Sequence, residues 1–122
     1  MISVAYIALG GAIGSILRYF TSLIFNSFFP NFPFGTLFVN LLGSFLIGLI
    51  ISNLENQSSF DLFIKYFLII GLLGSFTTFS AFSLEVIQLF TDKKITLCLL
   101  YIFLSIFLSI LGAGLGYFIN RF

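Results

Sequence analysis

The chain has 122 residues, 60% of them hydrophobic and 7% charged, with a mean hydropathy of +1.21, which is the composition of a membrane protein. Five Lys and Arg and a net charge of +1 cannot make a nucleic-acid footprint. There is no His and there are four acidic side chains, so Ser-His and Cys-His catalysis is excluded and a zinc or transition-metal enzyme site lacks ligands. The single Cys98 allows no intrachain disulfide and no thiol metal site.

Uncharged stretches run over 1–17, 19–54, 66–84 and 95–120. One span needs about 20 mostly apolar residues, and the stretch from Tyr19 to Leu54 is too long for one. Pro30 and Pro33, with Asn26 and Asn31, divide it at a turn. The expectation is an all-α, single-domain membrane protein covering 1–122, with four transmembrane helices at about 3–25, 34–54, 63–90 and 95–119. The N-terminus has no basic region before its apolar run and no small-residue cleavage site after it, so the first segment is expected to be retained.

The first segment carries Gly10 and Gly14, a small-xxx-small pair that lets another helix approach closely. Arg18 lies deeper, where a guanidinium must snorkel or pair. Two readings stand for it: snorkelling to the interface, or attracting anions at a pore mouth. The loop at 26–33 is an uncharged turn. In the second segment, Thr36, Asn40, Gly43 and Ser44 place a thin polar and small-residue stripe on one face. Asn40 in hydrocarbon must hydrogen-bond another helix or a passing solute. The second loop, Asn53 to Phe60, is polar and holds Glu55, and Asp61 and Lys65 are spaced for an ordinary exposed ion pair.

The third segment organises the rest. Gly71, Gly74 and Ser75 weaken helix propensity, and Thr77, Thr78, Ser80 and Ser83 carry hydroxyls that compete with backbone hydrogen bonds. A break is expected near Gly74 to Thr78, and non-helical backbone at membrane depth is tolerated only where protein or a hydrated cavity satisfies it. Phe76, Phe79 and Phe82 recur every three residues, which predicts an aromatic row beside the hydroxyls. Packing against a neighbouring helix and lining a functional centre are both open for that row. Glu85, near the far interface, is expected to pair with Arg18 or Lys93 or to line a vestibule. In the fourth segment Tyr101, Ser105 and Ser109 stack at four-residue steps into a polar track, which either bonds to its own backbone or faces a path. Gly112, Gly114 and Gly116 permit close packing near the C-terminus.

If the segments alternate, Lys65 and Arg121 fall on the N-terminal side and Lys93 and Lys94 on the other, with Arg18 leaning the same way. Such a small asymmetry hardly specifies orientation, so insertion both ways up and pairing as an antiparallel dimer are expected. Four short helices pack but do not surround an aqueous path, which makes oligomerisation the route to a conduit.

Three blocks together resemble the signature of the CrcB (Fluc) fluoride channels: Gly10 to Tyr19, Gly35 to Gly48 and Gly74 to Glu85. Chain length and helix count agree, so the resemblance covers essentially the whole sequence. It implies a dual-topology antiparallel dimer in the bacterial plasma membrane, with two pores that export fluoride passively and relieve its toxicity. The partner would be a second copy of the chain or a paralogous one. Carried over residue by residue, Asn40 resembles the pore-lining amide, Phe79 and Phe82 the rings whose edges face fluoride, and Tyr101, Ser105 and Ser109 the polar track. Gly74 and Thr77 match positions whose backbone carbonyls hold a structural sodium at the dimer axis. Arg18 and Thr36 are added to the candidate fluoride path from the reading of their own segments. Ser75 stands where the family commonly has glycine, and Ala81 where it has threonine.

The chemistry suits that resemblance. Fluoride is small and strongly hydrated, so a dry pore must replace water with donors such as the Asn40 amide and serine hydroxyls. Ring edges carry the positive part of the aromatic quadrupole and face an anion without a fixed charge. Carbonyls freed at a helix break are hard donors for a hard cation. A small dual-topology multidrug exporter shares the helix count but needs a carboxylate within the first segment, and this segment has none. A structural subunit of a larger complex would use the same polar residues as interhelical glue.

Overall fold

The computed structural model describes residues 1–55 and 61–122; the expected polar loop at 53–60 therefore lies mostly outside the described residues. Those residues form helices and the turns between them, with no strand among them. In chain order they form α1 (Ile2–Phe28), α2 (Phe34–Leu54), α3 (Phe63–Leu73), a single α-helical turn (Gly74–Phe76), α4 (Phe79–Thr91) and α5 (Ile95–Phe118). Four stretches are long and apolar enough to cross a membrane: Ile2–Phe28, Phe34–Leu54, Phe63–Thr91 and Ile95–Phe118. The third of these is interrupted at Thr77 and Thr78. Large apolar side chains stand exposed along α1 (Ile16, Phe20, Leu23) and α5 (Leu99, Phe103, Phe107), as suits surfaces that face hydrocarbon or another helix. This is a multi-pass membrane protein.

Without a hydrophobic drive between helices in lipid, close association depends on small residues. The bundle shows this twice. Gly14 lets α1 settle on the third span, where a Cβ would stand 2.2 Å from the Leu72 carbonyl oxygen. Gly48 and Gly116 do the same for α2 and α5, with a Cβ on either falling 2.2 or 2.1 Å from a carbonyl oxygen of the facing helix. α3 itself is wound as a π-helix over eleven residues, wider than an α-helix and uncommon at this length.

α4 is anchored differently. It packs on α5 and α2 through a cluster of Leu37, Phe82, Leu89, Cys98 and Tyr101, with Tyr101 fully buried. The turn into α5 is a Schellman cap: Lys94 N donates to Leu89 O at 2.9 Å and Lys93 N to Phe90 O at 3.0 Å. Lys93 takes the left-handed position usually given to glycine, with φ 59.

Two expectations are corrected here. Phe76 precedes the interruption and Phe79 follows it, so the three phenylalanines do not form one helical row; Phe76 is buried while Phe79 is 76% exposed. Helical spacing does not carry across extended backbone. The pair Asp61–Lys65 is also absent, because the Asp61 carboxylate instead accepts from Phe63 N at 2.8 Å and Lys65 lies over the Tyr66 ring. Among the described residues the ion pair is Arg121 with Glu55, which also accepts from the Tyr117 hydroxyl.

Candidate functional site

The interruption has a local cause and a local remedy. Thr77 (φ −78, ψ 155) and Thr78 (φ −154, ψ 128) are extended, so the peptide planes turn out of the helical ladder. In an unbroken helix Thr78 N would donate to Gly74 O. It donates instead to Asn40 Oδ1 at 2.7 Å, and Asn40 Nδ2 returns a bond to Thr78 O at 2.9 Å. Thr78 Oγ1 then caps α4 by accepting from Ala81 N at 3.2 Å. Thr77 Oγ1 reaches back to Leu73 O at 3.0 Å. Gly43 makes room for this bend, since a Cβ there would lie 2.2 Å from Thr77 Cγ2. Among the described residues, neither Gly74 O nor Thr77 O accepts a hydrogen bond. Two free carbonyls at membrane depth are expensive unless something coordinates them.

Around the interruption lies a cavity of about 400 Å³, lined by Asn40, Gly74, Thr77, Thr78, Phe79, Phe82, Ser105 and Ser109, with Ser44 and three isoleucines. Among the described residues, no charged side chain lines it. Ser105 is only 6% exposed and its Oγ has no hydrogen-bond partner among the described residues, so a buried hydroxyl is left able to serve a guest. Phe82 is buried against Tyr101 at a centroid distance of 5.2 Å, and Phe79 tilts over Phe82 at 5.4 Å.

Tyr101 does not join its two serine neighbours in that cavity. Its hydroxyl donates to Glu85 Oε2 at 2.6 Å, while Thr36 Oγ1 donates to Glu85 Oε1 at 2.7 Å. Neither expected partner of Glu85, Arg18 or Lys93, pairs with it. Arg18 and Thr36 belong to a second cavity of about 350 Å³, with Ser15, Thr78, Ala81 and Glu85 in its wall. The Arg18 Nε is buried there without a partner among the described residues. Ala81 thus borders the second cavity. Ser75 turns toward α1, where a Cβ on Gly11 would meet its Oγ at 3.3 Å. A third cavity of about 340 Å³ is lined by Asn26, Gln88, Asp92 and Lys94 and again by Glu85.

The cavities share walls. Thr78 lines both the first and the second, and Glu85 both the second and the third. The Thr36–Glu85–Tyr101 network is not legible from spacing, which groups Thr36 with Asn40 and Tyr101 with Ser105 and Ser109 on their own helices. A signal was available: with alternating segments, the start of α2, the end of α4 and the start of α5 lie at the same membrane face, and these three residues sit within about two turns of it.

A membrane-spanning bundle with an uncharged, donor-lined cavity at a broken helix is the architecture of a channel or transporter. The sequence profile of the family described as CrcB-like protein, Camphor Resistance (CrcB), matches residues 5–117. Relatives named fluoride-specific ion channel FluC include one from Flavobacterium psychrophilum, 46% identical over 99% of this chain and 98% of the relative. Another, from Agrobacterium fabrum, is 42% identical over the same shares, and one from Thermus thermophilus is 48% identical over 91% of this chain and 89% of its own. The chain belongs to the CrcB family, whose named members are ion channels and not enzymes.

Proposed function

We propose that this chain conducts fluoride passively across the cell membrane, so that the anion leaves the cell and its toxicity falls. The observation that carries the reading is the cavity at the interrupted helix, where an amide, three serines and two aromatic rings converge with no fixed charge among the described residues. Such a lining replaces part of the hydration of a small anion without holding it too tightly to leave. The Asn40 amide, the Ser105 hydroxyl, Ser109 and the edges of Phe79 and Phe82 contact the ion in this reading. Arg18, Thr36 and Tyr101 act closer to the membrane surface, with Arg18 drawing anions into the second cavity and Thr36 and Tyr101 holding Glu85. The names of the relatives point to the same ion.

The exposure of Phe79 supports a dimer, because a second copy would wall the cavity on its open side. We place that copy antiparallel, giving two pores, since the Lys and Arg counts are nearly balanced across the membrane. The partner is an identical chain or a paralogous one. Gly74 O and Thr77 O suit a structural sodium: they are hard donors at the break that accept no hydrogen bond among the described residues, and two from each copy would make four. The ion would tie the two interruptions together, and dimer stability in detergent should then fall when sodium is replaced by a large organic cation.

The test of function is efflux from proteoliposomes that contain this chain alone. Fluoride should leave quickly and chloride should not. Equal leakage of both, or of neither, would remove the reading.

A further inference from the structure

Asn40 is held in a way that decides which end of its amide can meet a guest. Oδ1 accepts from Thr78 N, and Nδ2 donates to Thr78 O. A backbone N–H can only donate and a backbone carbonyl can only accept, so the assignment of oxygen and nitrogen in this side chain is unambiguous. Turning the amide over would set donor against donor and acceptor against acceptor. Gly43, one turn along α2, receives the Thr77 side chain and keeps the extended pair seated on this helix. The nitrogen has two hydrogens and Thr78 O engages one of them; the other has no partner among the described residues, and Asn40 lines the cavity.

We infer that Thr78 is a positioning residue, whose backbone clamp turns the Asn40 oxygen toward the protein and leaves the remaining Nδ2–H as a fixed donor to the cavity. A freely rotating amide would serve an anion with its nitrogen and a cation with its oxygen. The clamped one favours the anion alone. Selectivity for charge sign thus comes in part from a peptide unit that never touches the ion. The same clamp draws Thr78 N away from Gly74 O, so one contact both orients the amide and releases that carbonyl. This inference rests on the proposed anion path and adds the rule that orients one of its ligands.

The test is nuclear magnetic resonance on the full chain in detergent, with 15N in asparagine only and the Asn40 amide assigned by its loss in Asn40→Asp. The two Nδ2 protons should give separate, slowly exchanging signals, and raising fluoride against a chloride control should move one of them and leave the other in place. Protons that interchange rapidly, that move together, or that ignore fluoride in a preparation with intact efflux would overturn the clamp while leaving the channel reading standing. Loss of all wild-type fluoride efflux would instead strike the channel reading itself. In liposomes Asn40→Leu, which is close in shape and uncharged but can neither accept from Thr78 N nor donate to Thr78 O or to the ion, should slow fluoride by about tenfold or more, the scale of one lost hydrogen bond to a charged group. Unchanged efflux from that variant would also overturn the proposal.

Discussion

The two halves of the third span are built on opposite plans. Before the interruption, α3 is wide and lies backbone to backbone on α1, with Gly14 against the Leu72 carbonyl. After it, α4 is an ordinary α-helix that starts from a threonine cap and presents Phe79, Ser80 and Ser83 on its more open side. The first half has no room for a side chain where it touches its neighbour, and the second has a cavity beside it. The contrast teaches that anchoring and presenting are divided between the two arms of one interrupted helix. Asn40 and Gly43 of α2 hold the joint between them.

If that division is right, damage to the anchoring half should appear first as lost stability, and damage to the presenting half first as lost transport. The largest effect is expected from Gly14→Leu, which drives a side chain into the Leu72 backbone; overpacking of this kind costs about 1–3 kcal/mol or more. Thermal unfolding in detergent should move down strongly, with any surviving protein assembling poorly. A variant that unfolds at the wild-type temperature would break the comparison at its anchor.

An intermediate effect is expected from Tyr101→Phe. It removes one of the two hydroxyl donors to Glu85 and leaves that oxygen without its partner, at a cost of about 1–3 kcal/mol. Fluoride efflux should fall by more than thermal stability does relative to Gly14→Leu. A fall in stability with efflux unchanged would move Tyr101 from the transport side of the comparison to the structural one. The smallest change is expected from Lys93→Gly at the turn into α5, far from the joint. Relieving a left-handed residue there should stabilise the protein by about 1 kcal/mol and leave efflux as it was. A loss of stability would mean that the cap needs the lysine side chain.

Much of the anchoring half was readable from residue spacing, because apolar runs and small-xxx-small pairs act locally and in register. The position of the interruption was readable too, since Gly74, Ser75, Thr77 and Thr78 are poor helix formers gathered in one place. What spacing could not give was anything that depends on geometry across the break. Phe76 looked continuous with Phe79 and is not, because two extended residues separate their helices. Asn40 needs a partner on sequence grounds, but that the partner is a backbone N–H and C=O in the next segment is a fact of packing alone. Glu85 likewise found hydroxyls of Thr36 and Tyr101 in place of the basic residues that charge would have chosen. In a low-dielectric interior, two short hydrogen bonds are as good a home for a carboxyl group as an arginine that must itself be desolvated.

The central claim is that fluoride passes the rings and uncharged donors of the presenting half. Efflux of fluoride and of chloride from liposomes, measured side by side for the wild-type chain, Phe79→Ile and Phe82→Ile, tests it most directly. The account predicts fluoride-selective efflux from the wild type and almost none from either variant, with both variants still eluting at the wild-type size. Full fluoride efflux from both variants would contradict it.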